Sequence, residues 1–207
     1  GLPDDNGLFM PERIPPLTPS FFDALSTMSL PDIGFEVLKP FVDGEIPDDA
    51  LRQLLADTLS FDIPLVRVKD GMYALELFHG PTLAFKDVGA RFLARALSYF
   101  TQKEEIKLTV LVATSGDTGS AVANGFYNVP NIEVIILYPS GKVSNFQEQQ
   151  MTTLGGNITA LEIDGTFDDC QQLVKEAFLD SEIKPRLNLT SANSINMARL
   201  LPQSVYY

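Results

Sequence analysis

A primary amine held beside a pocket can condense with an aldehyde to form a Schiff base, and one lysine of this chain stands in a setting suited to that chemistry. The run His79-Gly80-Pro81-Thr82-Leu83-Ala84-Phe85-Lys86-Asp87 passes from a turn, marked by Gly80-Pro81, into the first turn of an amphipathic helix. A helix N-terminus favours anions and disfavours an ammonium group, so Lys86 is placed against the helix dipole while Asp87 is placed with it. Such a position favours the uncharged amine that a Schiff-base nucleophile needs. On spacing alone, Lys86 reads either as that nucleophile or as an exposed first-turn lysine. His79 is the single histidine, so no histidine pair is available for a metal or for triad chemistry. It either shapes the lysine turn or faces a substrate.

Two further segments have the composition of anion-binding loops. Ala113-Thr114-Ser115-Gly116-Asp117-Thr118-Gly119-Ser120 follows an apolar run and opens a helix of small residues. Its glycines let backbone approach a ligand, its hydroxyls and N–H groups can hold an anion, and Asp117 can accept from a hydroxyl or an amine. The alternative is a tight strand-to-helix turn in which Thr114, Ser115 or Asp117 caps the helix. Pro139-Ser140-Gly141-Lys142-Val143-Ser144 occupies the corresponding place after the next apolar run, as a second binding loop or as a surface turn. Cys170 reads as a small core residue of its helix.

The elements that must position these segments follow from periodicity. Strands are expected over residues 72–78, 107–113, 133–138 and 157–163, alternating with helices over 85–100, 117–126, 144–154 and 167–179. Thr166 and Asp169 have the spacing of a capping box for the last helix. A helix is expected over residues 50–59, capped by Asp48 or Asp49. Apolar strands alternating with amphipathic helices predict an α/β fold of three layers, built from right-handed βαβ units around a mostly parallel sheet. Residues 1–71 read as a proline-rich, mostly helical or irregular lead-in, and residues 72–207 as the α/β region carrying the lysine. Within that region a small βαβ lobe spans about residues 107–190. Ligands of such sheets gather outside the carboxyl ends of the strands, where both loops fall.

Composition narrows the function classes. The 207 residues are 45% hydrophobic, enough for a sizeable core. Fifteen basic residues against 27 acidic ones leave a net charge of −12, which argues against a broad nucleic-acid or anionic-membrane surface. A single cysteine excludes an internal disulfide framework and multi-cysteine zinc sites, and a cytoplasmic location is expected. No apolar run is long enough to span a membrane. The first residue is Gly1, and the last segment, Leu201-Pro202-Gln203-Ser204-Val205-Tyr206-Tyr207, is apolar and aromatic. The expectation is a piece of a longer chain, whose exposed core surface would favour self-association.

The lysine segment from His79 to Asp87 resembles the cofactor-lysine motif of bacterial and fungal threonine synthases, and Ala113 to Gly119 resembles that family's serine-threonine-glycine loop. The likeness extends through Asn6-Gly7-Leu8-Phe9, Ile136-Leu137-Tyr138-Pro139, Thr153-Leu154-Gly155-Gly156-Asn157 and Ser191-Ala192-Asn193-Ser194-Ile195-Asn196. The resemblance implies the tryptophan-synthase-β type of fold (fold type II) and pyridoxal 5'-phosphate held as a Schiff base on Lys86. It also implies conversion of O-phospho-L-homoserine and water to L-threonine and phosphate. By the same resemblance, Thr114, Ser115, Asp117 and Thr118 would contact the cofactor's hydroxyl side or the substrate carboxylate. Thr82, Lys142, Asn145, Asn193, Ser194, Asn196 and Arg199 would line or support the substrate side. The glycine-rich loop for the cofactor phosphate and the group facing the pyridine nitrogen would follow Tyr207, in a larger domain absent here. The 207 residues alone are therefore expected to be impaired in catalysis. The other readings are a different pyridoxal-phosphate lyase or β-replacing enzyme of the same fold, and a non-catalytic binding module.

Overall fold

A computed structural model describes residues 8–193 and 196–207. Asn6 and Gly7 of the matched segments, and Ser194, lie outside the described residues. The centre is a four-stranded parallel sheet of order β5-β4-β3-β6, formed by β3 (Leu108–Ala113), β4 (Ile132–Pro139), β5 (Ile158–Ile163) and β6 (Leu189–Thr190). Successive residues of each strand face opposite sides, and in β3 and β4 both sides are apolar, which is why these strands read as nearly continuous hydrophobic runs. Val110, Val112, Val134 and Ile136 pack with Leu93, Val122, Phe126 and Met151, residues of α4 (Lys86–Glu104), α5 (Asp117–Phe126) and α6 (Asn145–Thr152). On the other side Leu111 and Leu137 pack with Cys170, Val174 and Phe178 of α7 (Phe167–Leu179). The layers are thus helix, sheet, helix, as the alternation predicts. Helix α5 can lie flat on α4 because Gly125 has no side chain: a Cβ there would stand 3.1 Å from the Ala90 carbonyl carbon.

The lead-in contributes α1 (Pro19–Ala24), α2 (Leu30–Val42) and α3 (Asp48–Thr58). Thr18 and Ser29 cap the first two with their hydroxyls, whereas α3 begins after Pro47 with no side-chain cap. Asp48 and Asp49, expected as caps, instead sit in the first turn, where their charge still suits the dipole. Phe35, Leu38, Leu51 and Leu55 form a second core with Val88, Phe92 and Ala96 of α4, so that helix is buried on two sides. The lead-in is thereby fastened to the element that starts at Lys86.

The expected strand over residues 72–78 differs from observation. Strand β2 (Met72–Leu75) pairs antiparallel with β1 (Leu65–Lys69) in a separate hairpin and takes no part in the parallel sheet. Its turn is Asp70-Gly71, with Gly71 at φ +72°, and Leu65, Val68 and Tyr73 are exposed. The short helix α8 (Ile183–Leu187) precedes β6, and α9 (Met197–Leu200) leads into a closing 3-10 turn over Leu201–Tyr206.

One side chain seals the connection between α5 and β4. Asn157 donates from Nδ2 to the carbonyls of Phe126 (2.9 Å) and Ile132 (2.8 Å), and its Oδ1 accepts from Asn128 N (2.8 Å).

Candidate active site

The lysine turn is built around a buried carboxylate. Asp87, 1% exposed, accepts from the Thr82 backbone N–H at 2.9 Å and from its hydroxyl at 2.6 Å. Leu83 N donates to Gly80 O at 3.1 Å and Leu83 adopts φ +60°, a left-handed conformation uncommon for leucine. Burial pushes the Asp87 carboxyl up, while the two bonds from Thr82 and the nearby Arg91 guanidinium pull it back. Phe85 offers no side-chain cap to α4, so Asp87 supplies the anion of its first turn. Lys86, the first residue of the helix, finds its compensation outside it. Its Nζ lies 3.4 Å from Asp117 Oδ2 and 4.6 Å from the Phe85 ring centroid, an ion pair and a cation–π contact.

Asp117 is brought there by the sheet. Ala113 of β3 pairs with Leu137 of β4, and Thr114 N continues the ladder to Leu137 O at 2.9 Å, so the loops after both strands open at the same end. Thr114 is buried, and its hydroxyl accepts from Gly116 N (3.0 Å) and Gly119 N (2.8 Å), satisfying first-turn donors of α5 from within the loop. Its hydroxyl is thus engaged in building the loop. Gly116 takes φ +146°, a conformation that favours glycine. Ser115 and Asp117 are exposed and Thr118 is half-buried.

Between the lysine turn, the end of the hairpin and α6 lies a cleft of about 440 Å³. Its walls are apolar at Leu75, Leu77, Phe78 and Phe146 and polar at Thr82, Asp117, Gln147 and Gln150. The volume is within the range of small-molecule sites. The structure brings Asp117 and Thr82 into this wall, with Lys86 reaching it through Asp117. Lys142 is on an exposed turn closed by its own N–H to Pro139 O at 3.2 Å, and Asn145 is the exposed first residue of α6. Asn196 caps α9, accepting from Ala198 N at 2.9 Å, and Asn193 N donates to Ser191 Oγ at 3.1 Å. Arg199 is 1% exposed, donates from Nη1 to Ala192 O at 2.7 Å, and is pushed below its ordinary range by burial, so it braces the segment after β6 from inside. Gln147 and Gln150, both on the cleft wall, are absent from the sequence reading. Their signal was a three-residue spacing of carboxamides early in a helix that follows a candidate loop. Among the described residues no group of three or more His, Cys, Asp or Glu could hold a metal ion, and no helix is long and apolar enough to cross a membrane.

Comparison with known proteins identifies the family of the chain. Residues 61–198 match the family described as pyridoxal-phosphate-dependent enzyme, and residues 1–59 match the threonine synthase N terminus. The chain belongs to the pyridoxal-phosphate-dependent enzyme family. All of it is 49% identical to the threonine synthase of Haemophilus influenzae, covering 48% of that protein, and 43% identical to that of Schizosaccharomyces pombe, covering 43%. Among solved structures, threonine synthase from Escherichia coli superposes with a TM-score of 0.90 at 46% identity, over 100% of this chain and 48% of that one. A pyridoxal-phosphate-bound threonine synthase from Brucella melitensis does so with a TM-score of 0.94 at 43% identity, over 100% and 46%. The chain thus spans about half the length of the relatives it matches. The fold is that of a fold type II pyridoxal-phosphate enzyme. Its donor set fits such a cofactor: a primary amine paired with Asp117, itself in the wall of a cleft lined by apolar and aromatic side chains beside Thr82, Gln147 and Gln150.

Proposed function

We propose that this chain is part of a threonine synthase, converting O-phospho-L-homoserine and water to L-threonine and phosphate, with Lys86 as the cofactor lysine. The observation carrying this reading is the Lys86 amine, fixed 3.4 Å from Asp117 beside the cleft in a chain that aligns from end to end with threonine synthases. When bound, pyridoxal 5'-phosphate supplies an electron sink for negative charge at the substrate's α-carbon. Lys86 would hold the cofactor by its amine and would move protons at the substrate's α and β carbons. Asp117, Ser115 and Thr118 lie at the N-terminus of α5, where N–H groups and hydroxyls suit a carboxylate or the cofactor's ring hydroxyl. Thr114 holds that loop from inside. Lys142 and Asn145 supply charge and donors for the substrate phosphate on the neighbouring loop, with Asn193, Asn196 and Arg199 lining or supporting that side; Ser194, a further candidate there, lies outside the described residues.

The reading includes a lead-in over residues 1–71, an α/β region over 72–207 and a small βαβ lobe within it. It includes a cytoplasmic location, which suits a buried, unpaired thiol. Self-association through exposed core surface belongs to it too, and sedimentation velocity at increasing protein concentration reads it directly. The central test is reductive trapping. The protein is mixed with pyridoxal 5'-phosphate, treated with borohydride and mapped by peptide mass spectrometry, with Lys86→Ala as control. A cofactor adduct concentrated on Lys86 supports the reading, and an adduct spread evenly over the surface lysines overturns it.

A further inference from the structure

One side chain of the cleft wall has no part in the chemistry just described and yet touches its acid. Gln147, in the first turn of α6, donates from Nε2 to Asp117 Oδ1, while Lys86 Nζ meets the other oxygen, Oδ2, at 3.4 Å. The carboxamide's orientation is fixed from its far side: Ser144 Oγ donates to Gln147 Oε1 at 3.0 Å, which leaves the NH₂ group toward Asp117. The same serine hydroxyl accepts from Gln147 N at 3.3 Å and caps α6. Space for the carboxamide exists because residue 116 is glycine; a Cβ there would stand 2.6 Å from Gln147 Oε1 and 2.9 Å from Nε2. Helix α6 is itself tied down, by Ser120 Oγ donating to Gln147 O and by Gln150 Nε2 donating to Thr82 O, each at 3.4 Å.

Asp117 has half its side chain in solvent and sits on the first residue of its helix. A short, hydrated carboxylate in that position keeps several rotamers, and only some of them face Lys86. We propose that Gln147 is a positioning residue, which by occupying one oxygen of Asp117 aims the other at the Lys86 amine. The inference deepens the reading of Lys86 as the cofactor lysine and rests on it: the orientation of the reactive amine is set by a relay from Ser144 through Gln147 and Asp117. A carboxamide suits the role because it donates to Asp117 and accepts from Ser144 at once, which neither a carboxylate nor an apolar side chain does.

The test is competitive acetylation of the 207-residue chain at neutral pH, read lysine by lysine by mass spectrometry, with the exposed Lys69 and Lys103 as internal references. No cofactor is added, so the outcome is separate from that of the trapping experiment. Asp117→Asn removes the partner charge and is expected to raise the relative rate at Lys86 by about two- to five-fold, the scale of a partly exposed ion pair. Gln147→Met removes the donor without adding charge and is expected to raise it equally, and the double variant no further. If Gln147→Met disturbs the fold, as circular dichroism and the reference lysines would report, Gln147→Ala decides the matter. A wild-type rate at Lys86 in the folded Gln147 variant overturns the proposal. So does an unchanged rate in Asp117→Asn, or a double variant whose effect is the product of the two single ones.

Discussion

The buried Asp87 makes the lysine turn open to a double-mutant cycle. Asp87→Ala leaves the Thr82 N–H and O–H without their acceptor, at about 1–3 kcal/mol for each orphaned donor. The relief of no longer burying a carboxylate works the other way, because burial is the largest influence on that group and pushes it up from its ordinary range. A net loss of about 2–3 kcal/mol results. Thr82→Val deletes only the 2.6 Å hydroxyl bond and is expected to cost about 1–2 kcal/mol. In the double variant that bond is lost once and not twice, so the combined loss falls short of the sum by about 1 kcal/mol. Urea unfolding followed by far-ultraviolet circular dichroism measures this, since with a slope of about 1–3 kcal/mol per molar the Asp87→Ala midpoint drops by about 1 M. The pH dependence carries a sign. A carboxyl raised by folding contributes stability that is complete below its unfolded value and is lost as pH rises through the folded value, so the Asp87→Ala deficit is larger in acid than at neutral pH. Additive losses, within about 0.5 kcal/mol, would refute the assignment of the Thr82–Asp87 bond as the brace of the turn.

Phe126→Ala, at a fully buried position between α5 and the sheet, is expected to cost about 3–5 kcal/mol in the same assay. Cys170 is fully buried and its thiol is pushed up by burial, so a thiol reagent should react only when denaturant opens the α7 face; rapid modification of the native protein would contradict that packing. Asp169 is held below its ordinary range by the backbone and hydroxyl donors of Thr166, so its contribution is present above the ordinary carboxylate value and lost as pH falls through the folded one. Asp169→Asn should therefore flatten the acid limb of a stability-against-pH curve while leaving the alkaline limb in place.

The parallel sheet was legible because Val, Ile and Leu at β3 and β4 face apolar layers on both sides, so these strands declare themselves as apolar runs, while edge strand β5 kept enough apolar residues to be read. The capping box at Thr166 and Asp169 was equally plain, since both partners lie within one turn. Strand β1 was hidden because Arg67 and Lys69 interrupt its apolar residues and all five residues are exposed. Its partner was then credited to the wrong sheet, although Asp70-Gly71 is a hairpin turn. At the site, sequence placed Lys86 and Asp117 on helix starts, but their 3.4 Å contact depends on strand register across thirty-one positions, which local pattern does not contain. Gln147 is marked only by its carboxamide spacing with Gln150, and of the two roles open to Arg199, lining or supporting the site, burial of its guanidinium favours support.

Asn157 gives the order of synthesis a structural meaning. The carbonyls of Phe126 and Ile132 and the N–H of Asn128 belong to the helix-to-strand connection of α5 and β4, which leaves the ribosome well before residue 157 does. Until that residue arrives, the Ile132 carbonyl and the Asn128 N–H must be met by water, while Phe126 O keeps only its bond from Val129 N at 3.1 Å, which keeps the α5–β4 turn wet and the β4 edge free for pairing with other strands. Docking of β5 ends both conditions in one event, covering the edge and drying the turn together. Nascent chains stalled just before Asn157 should thus be far more accessible to protease between residues 126 and 132 than chains stalled a strand later.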